Sequence, residues 1–270
     1  MTTSSKYHIN CLSPAMPFEI QPCSATDALG LATTMMGARL TDPHWAFLWE
    51  NPNPQDIIAK GALRVPWNLA TGRDTKRHQK VIDIETGRVV GYARWILPDC
   101  LAKRNGVWLE AQAPEGTQIE REEWEKQYRE NTTGGQPIGM KGGGLMSYRS
   151  APLEVVDARI MRNGPFLSKY LDLSDRFYSK LTIILALDYL TTDPDFWRRG
   201  IGSMLVQSGM KVADQYGMKI YVMSEPAALK LYLNFGFELL ETVSTDYSKY
   251  GGTEPSVEHF LVRAPQSMII

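Results

Sequence analysis

The chain has 270 residues, 43% hydrophobic and 22% charged, which is enough apolar content to bury a core and excludes a disordered or fibrous protein. Its 29 Lys and Arg against 30 Asp and Glu leave a net charge of −1, so no global field draws it to nucleic acid or an anionic membrane. Cys11, Cys23 and Cys100 form an odd, widely spaced set that fits neither a disulfide framework nor a zinc module, and no metal site is expected. Met1 to Asn10 has no apolar stretch of the kind a secretory signal carries. The longest apolar run, Leu181 to Leu187, falls far short of the roughly 20 residues that span a bilayer. A soluble cytoplasmic protein without a membrane partner is the expectation.

In chain order, Phe18-Glu19-Ile20 reads as a short strand. Ser24, Thr26 or Asp27 can then cap a helix through Ala28, Leu31, Met35 and Met36. Pro43 to Pro66 holds Trp45 and Trp49 among four prolines, a broken aromatic pattern that predicts one or two helices closing over something or packing in the core. His78 to Glu85 and Val89 to Leu97 flank Thr86-Gly87-Arg88 and predict a β-hairpin. Residues 99–180 differ in character, with a charged helical stretch over Glu120 to Glu130 and glycine loops at 134–135 and 142–144, and read as an insertion; Ser168 to Tyr178 is a further helix within it. From Leu181 the pattern becomes strand (to Thr192), loop, helix (Gly202 to Tyr216), strand (220–223), helix (Ala227 to Asn234) and a last strand at His259 to Arg263. The predicted organisation is a tail over 1–17, one domain over 18–264 carrying the inserted, partly helical 99–180, and a tail over 265–270.

The chemistry concentrates where that strand runs into Asp193-Pro194-Asp195-Phe196-Trp197-Arg198-Arg199-Gly200-Ile201-Gly202-Ser203 and at once into a helix. Glycines let a ligand approach the backbone, the helix start offers unpaired N–H donors, and Arg198, Arg199 and Ser203 add cations and a hydroxyl, a set suited to pyrophosphate. Taken alone, a glycine-relieved turn explains the same residues. The GxxxxGK[ST] loop is absent, and GxGxxG fails because Ser203-Met204-Leu205 follows Gly202, so neither a nucleoside triphosphatase nor a Rossmann dehydrogenase is supported.

These residues resemble the GNAT superfamily of acetyl-CoA-dependent N-acetyltransferases, filamentous-fungal members in particular, whose loop motif is Q/R-x-x-G-x-G/A. Three further segments agree: Leu190-Thr191-Thr192-Asp193-Pro194 with the family's L-x-V-x-P run, Ala228 to Phe237 with A-x-x-L-Y-x-x-x-G-F, and Asp83 to Ala93 with its second hairpin. Two positions depart from the pattern, Trp197 for Gln or Arg and Glu225 for a frequent Asn. The resemblance implies an α/β (α+β) GNAT fold: a central mixed, mostly antiparallel sheet, splayed at its two middle strands and flanked by helices. It implies acetyl-CoA as cofactor, with its pantetheine arm along Leu190, Thr191 and Thr192 and its pyrophosphate on Trp197, Arg198, Arg199, Gly200, Ile201, Gly202 and Ser203. Glu225, Ala228 and Tyr232 complete that site, with Tyr232 near the thioester sulfur.

An amine acceptor must lose a proton and a thiolate must leave. Tyr232, a phenol of ordinary pKa about 10, is the candidate acid. Asp188 is the candidate base, on the face of Leu190 by strand alternation and beside Leu185 and Leu187, where burial would raise its pKa. His44, Glu50, Glu225 and water remain rivals for that role. Trp45, Trp49, Trp67, Trp95 and Trp108 are candidate walls for the acceptor, set against plain core packing; the acceptor is a small-molecule amine by expectation. Three alternatives stay open: a silent acyl-CoA-binding domain acting as sensor or scaffold, a protein or peptide acetyltransferase, and a partner-docking role for 99–180.

Overall fold

The computed structural model describes residues 17–103, 106–163 and 183–266. Its first unit is β1 (Phe18–Pro22), a 3-10 turn (Ala25–Asp27) and α1 (Ala28–Leu40). Ser24 and Asp27 close a capping box over that turn, which satisfies donors that would otherwise be orphaned. The proline-broken stretch forms two helices, α2 (Pro43–Phe47) and α3 (Pro54–Ala70), started by Asp42 and Asn53 side chains that accept backbone N–H bonds. The predicted hairpin is β2 (Lys76–Asp83) and β3 (Val89–Ile96), paired antiparallel with one irregularity at Val81/Ile82.

Within 99–180 the described residues hold α4 (Asp99–Ala102), α5 (Gln118–Glu130), the two-residue strands β4 (Thr132–Thr133) and β5 (Gln136–Pro137), and α6 (Leu145–Asn163). The helix expected at Ser168 to Tyr178 lies outside the described residues. Helix α6 is not a free appendage: Leu153 and Val156 pack with Ile184, Ala186, Tyr221 and Phe260 on the sheet. The last third runs β6 (Ile184–Thr192), α7 (Ile201–Gln215), β7 (Lys219–Ser224), α8 (Pro226–Asn234), β8 (Glu238–Thr245) and β9 (Ser256–Arg263).

Seven of the described strands form the main sheet in the order β1-β2-β3-β6-β7-β9-β8, with β6 and β7 parallel and every other neighbour antiparallel. This is the mixed, mostly antiparallel sheet flanked by helices that the family resemblance implies. Helix α7 covers one face and α1 with α3 the other. The contact with α7 depends on two glycines: a Cβ at Gly91 would come within 2.5 Å of Ile201, and one at Gly209 within 2.2 Å of Trp95. Their bare backbones let β3 and α7 approach and let the Trp95 ring lie flat against the helix. On the opposite face Leu31, Ala32, Val65, Leu69 and Tyr92 form a second core.

Candidate active site

The parallel pairing of β6 with β7 stops at Leu187↔Val222, although β6 continues to Thr192 and β7 to Ser224. Past that point the two middle strands share no registered pair, while β6 stays paired with β3 as far as Gly91↔Thr192. The Asp193 N–H donates to the Val90 carbonyl at 2.9 Å. Alternation along an antiparallel ladder then turns the backbone groups of Thr192 and Leu190 away from β3, into the gap left by β7. A free strand edge thus faces an opening in the middle of the sheet, able to pair with an extended ligand.

The loop at the end of that edge has a geometry that could hold an anion. Arg198 (φ 63°) and Gly200 (φ 86°) both adopt left-handed backbone, a conformation that costs a non-glycine residue roughly 1–2 kcal/mol. Such turns point successive amides into one concavity. Gly200 is the N-cap of α7 and offers no side chain to its donors. The first intrahelical bond runs from Met204 N–H to the Gly200 carbonyl, leaving the amides of Ile201, Gly202 and Ser203 without an acceptor inside the helix. The Ile201 side chain is buried, so only its backbone can serve a ligand. Arg198 and Arg199 are exposed, and Arg199 lies over the Phe196 ring at 4.9 Å, with Arg88 at 5.1 Å from the same ring. Arg88 also binds Asp193 at 3.0 Å, which fixes the turn into the loop. Trp197, where the family motif has Gln or Arg, is half exposed, and its indole N–H donates to the Thr192 carbonyl at 2.9 Å. It ties the loop to the free edge rather than contributing charge.

Across the gap, α8 begins at Glu225, whose exposed side chain makes no capping bond. Ala228 and Leu231 pack onto the main core, and a Cβ at Gly202 would touch Leu231 at 3.4 Å and Thr192 at 3.8 Å. Loop, strand end and α8 therefore meet within one side chain's reach. Tyr232 is buried, its ring edge-on to Phe237 at 5.4 Å. Burial first, then the nearby Glu225 carboxylate, push its pKa well above that of an ordinary phenol.

Asp188 departs from the sequence expectation. The β3–β6 register shifts between Arg94↔Tyr189 and Trp95↔Leu187, so Asp188 has no opposite residue. Such a bulge breaks strand alternation and re-aims the side chain. Asp188 ion-pairs with Arg94 and its side chain is 40% exposed, instead of sitting buried on the face of Leu190. The tryptophans also separate. Trp95 is fully buried against Gly209 and Trp108, and Trp49 is buried with Leu145 and Tyr247, so neither forms the wall of an open groove. Trp45 is buried too, but the Arg39 guanidinium sits over its ring. Arg39 escaped the sequence reading because an arginine on an amphipathic helix reads as solvated surface.

Beneath this region lies a sealed polar pair. His78 Nδ1 meets the Tyr92 hydroxyl at 2.9 Å, and His78 Nε2 has no hydrogen-bond partner among the described residues. Burial first, then the cations Arg94, Lys76 and Arg77, push the His78 pKa down to about 3. The unfolded chain takes up this proton near the ordinary pKa of about 6.5, whereas the fold resists it. The His78 contribution is thus complete above about pH 6.5 and is lost as the pH falls toward about 3, at a slope of up to about 1.4 kcal/mol per pH unit. Urea titrations between those limits should show this slope in the wild type and a flatter one in His78→Gln; parallel profiles would contradict the assignment.

Among the described residues no group of His, Cys, Asp or Glu is placed to hold a metal, and no helix is long and apolar enough to cross a membrane. Residues 177–237, spanning β6, the loop, α7, β7 and α8, match the family model of the acetyltransferase (GNAT) family. No curated protein matches the chain at the level of sequence. Among solved structures, one of Corynebacterium glutamicum described as histone acetyltransferase HPA2 and related acetyltransferase aligns with TM-score 0.52 at 16% identity, over 94% of this chain and 100% of the other. The C-terminal condensation domain of Ebony, in complex with β-alanyl-dopamine, aligns with TM-score 0.53 at 15% identity, over 92% of this chain and 99% of the other. At such identities the likeness is one of fold. Residues 177–237 thus carry the GNAT acetyltransferase signature, set on a GNAT-like fold whose middle strands part beside it.

Proposed function

We propose that the chain is an acetyl-CoA-dependent N-acetyltransferase that moves the acetyl group to a small-molecule amine by direct attack in a ternary complex. The observation that carries this reading is the edge of β6 at Leu190 and Thr192, unpaired with β7 and touched only by the Trp197 indole at the Thr192 carbonyl, opening beside a loop suited to an anion inside the matched segment. That donor set fits coenzyme A: an edge for a ligand with amides, then uncapped N–H groups and two exposed arginines for its phosphates. The thioester supplies an activated acetyl group with a thiolate as leaving group.

On this reading the backbone of Leu190, Thr191 and Thr192 aligns the arm, and Trp197 to Ser203 hold the diphosphate. Glu225 and Ala228 border it from α8. Tyr232 gives its phenolic proton to the departing sulfur, and its raised pKa keeps that proton in place at neutral pH. Asp188, in its exposed ion pair with Arg94, is the proposed base, with water as the alternative proton acceptor. A small acceptor is favoured by the near-neutral charge balance and by the Ebony domain, which has this fold and is bound to β-alanyl-dopamine.

Calorimetric titration with acetyl-CoA, followed by thiol release against a panel of amines, tests the proposal. Binding together with amine-dependent thiol release is the expected result. Binding with no release against the whole panel would leave a silent acyl-CoA-binding domain.

A further inference from the structure

Helix α1 ends on one side of the split in the sheet, and its last turn delivers Arg39 there. The guanidinium is held on three sides. Its Nε donates to the Tyr189 hydroxyl at 2.6 Å, its carbon lies 4.7 Å from the Tyr189 ring centroid, and it lies 5.8 Å from that of Trp45. Tyr189 is itself packed against Tyr92 at 5.7 Å, so the cage is fixed to the sheet next to the free edge at Leu190. Among the described residues, neither terminal nitrogen of Arg39 has a hydrogen-bond acceptor, and no carboxylate stands within ion-pair distance.

The carboxylates of Asp42 and Glu225 are near enough to act on Arg39 electrostatically, but Asp42 spends an oxygen on the first turn of α2. The Asp188 carboxylate, close by on the same strand as Tyr189, is taken by Arg94. What remains is a rigid, partly desolvated guanidinium held on Tyr189 of β6, whose two Nη groups form a planar fork. A carboxylate matches that fork bidentately, and ordering the arginine in advance removes much of the entropy cost of binding.

We infer that Arg39 anchors a carboxylate of the acceptor, so that the amine acetylated here belongs to an amino acid or another amino-carboxylate rather than to a simple amine or polyamine. The inference rests on the proposed acetyltransferase activity and deepens it.

The test uses the full-length protein with acetyl-CoA and matched acceptors: the common amino acids, their decarboxylated amines, and their methyl esters. For at least one amino acid, kcat/KM should exceed that of its amine and its ester by about tenfold to a hundredfold, as expected for a charge-assisted pair in a sheltered site. Arg39→Met should collapse that ratio toward one. Arg39→Lys, which keeps the cation over the aromatic rings but loses the fork, should leave an intermediate ratio and guards against a variant that fails to fold. Thiol release with amines and esters as fast as with the acids, or an equal loss on all three classes in the variants, would overturn the inference and leave the acetyltransferase standing. No acceptor-dependent thiol release with any of the three classes would overturn both.

Discussion

Gly202→Trp should raise the Kd for acetyl-CoA at least a hundredfold, about 2.7 kcal/mol, while the protein stays folded. Gly202 is the second residue of α7, its N–H is one of the three that the helix leaves unpaired, and its missing side chain opens onto the space between Thr192 and Leu231. An indole grown from that Cα projects into the gap between strand end and α8, where the proposed binding mode brings a diphosphate to the amides. Gly202→Ala is the internal control. Its Cβ would make ordinary contact with Leu231 at 3.4 Å, so the fold should be unaffected and binding only modestly weaker. Calorimetry on the two variants, with thermal melts to verify folding, separates obstruction from misfolding. Normal affinity in Gly202→Trp would remove the diphosphate from this loop and with it the proposed cofactor site.

The parts of this site legible in sequence are those whose causes are local. A glycine N-cap, a helix of apolar period behind it and the Ala228 to Phe237 run after it are each written into consecutive residues, and α7, β7 and α8 appear where the sequence puts them, within a residue or two. The rest depends on partners distant in the chain. Asp188 was expected to be buried on the face of Leu190 because alternation assumes an unbroken ladder. The bulge opposite Arg94 and Trp95 is a property of the pair β3–β6 and leaves no mark in either strand alone.

Tryptophan is equally mute about direction: Trp45 lies beneath Arg39 and Trp95 under Gly209, yet both are simply large apolar residues between turns. Strand β8 escaped notice because it is an exposed edge, with Leu239 and Leu240 about half open to solvent, so its sequence lacks the buried alternation that marks an inner strand. Helix α6 was hidden for a related reason, since its apolar residues make sense only against the sheet they cover.

Tyr232→Phe should lower kcat for thiol release by about tenfold to a thousandfold and leave the Kd for acetyl-CoA nearly unchanged, within the range general acids contribute. A thiolate expelled into a sheltered site needs a proton, and Tyr232 carries one on the helix that borders the split. Two features make the substitution informative. The Tyr232 hydroxyl makes no hydrogen bond among the described residues, and its ring contact with Phe237 is kept by Phe, so stability should change little. Burial and Glu225 both hold the phenol protonated, so the acid form persists across the pH range in which amines become good nucleophiles. The wild-type rate should therefore rise with pH as the amine loses its proton, without a descending limb from Tyr232 near its ordinary pKa of about 10. Acceptors of lower basicity should shift that rise to lower pH in wild type and variant alike, because the ascending limb belongs to the amine. An unchanged kcat in Tyr232→Phe would leave the leaving thiolate to be protonated by solvent through the exposed mouth of the split.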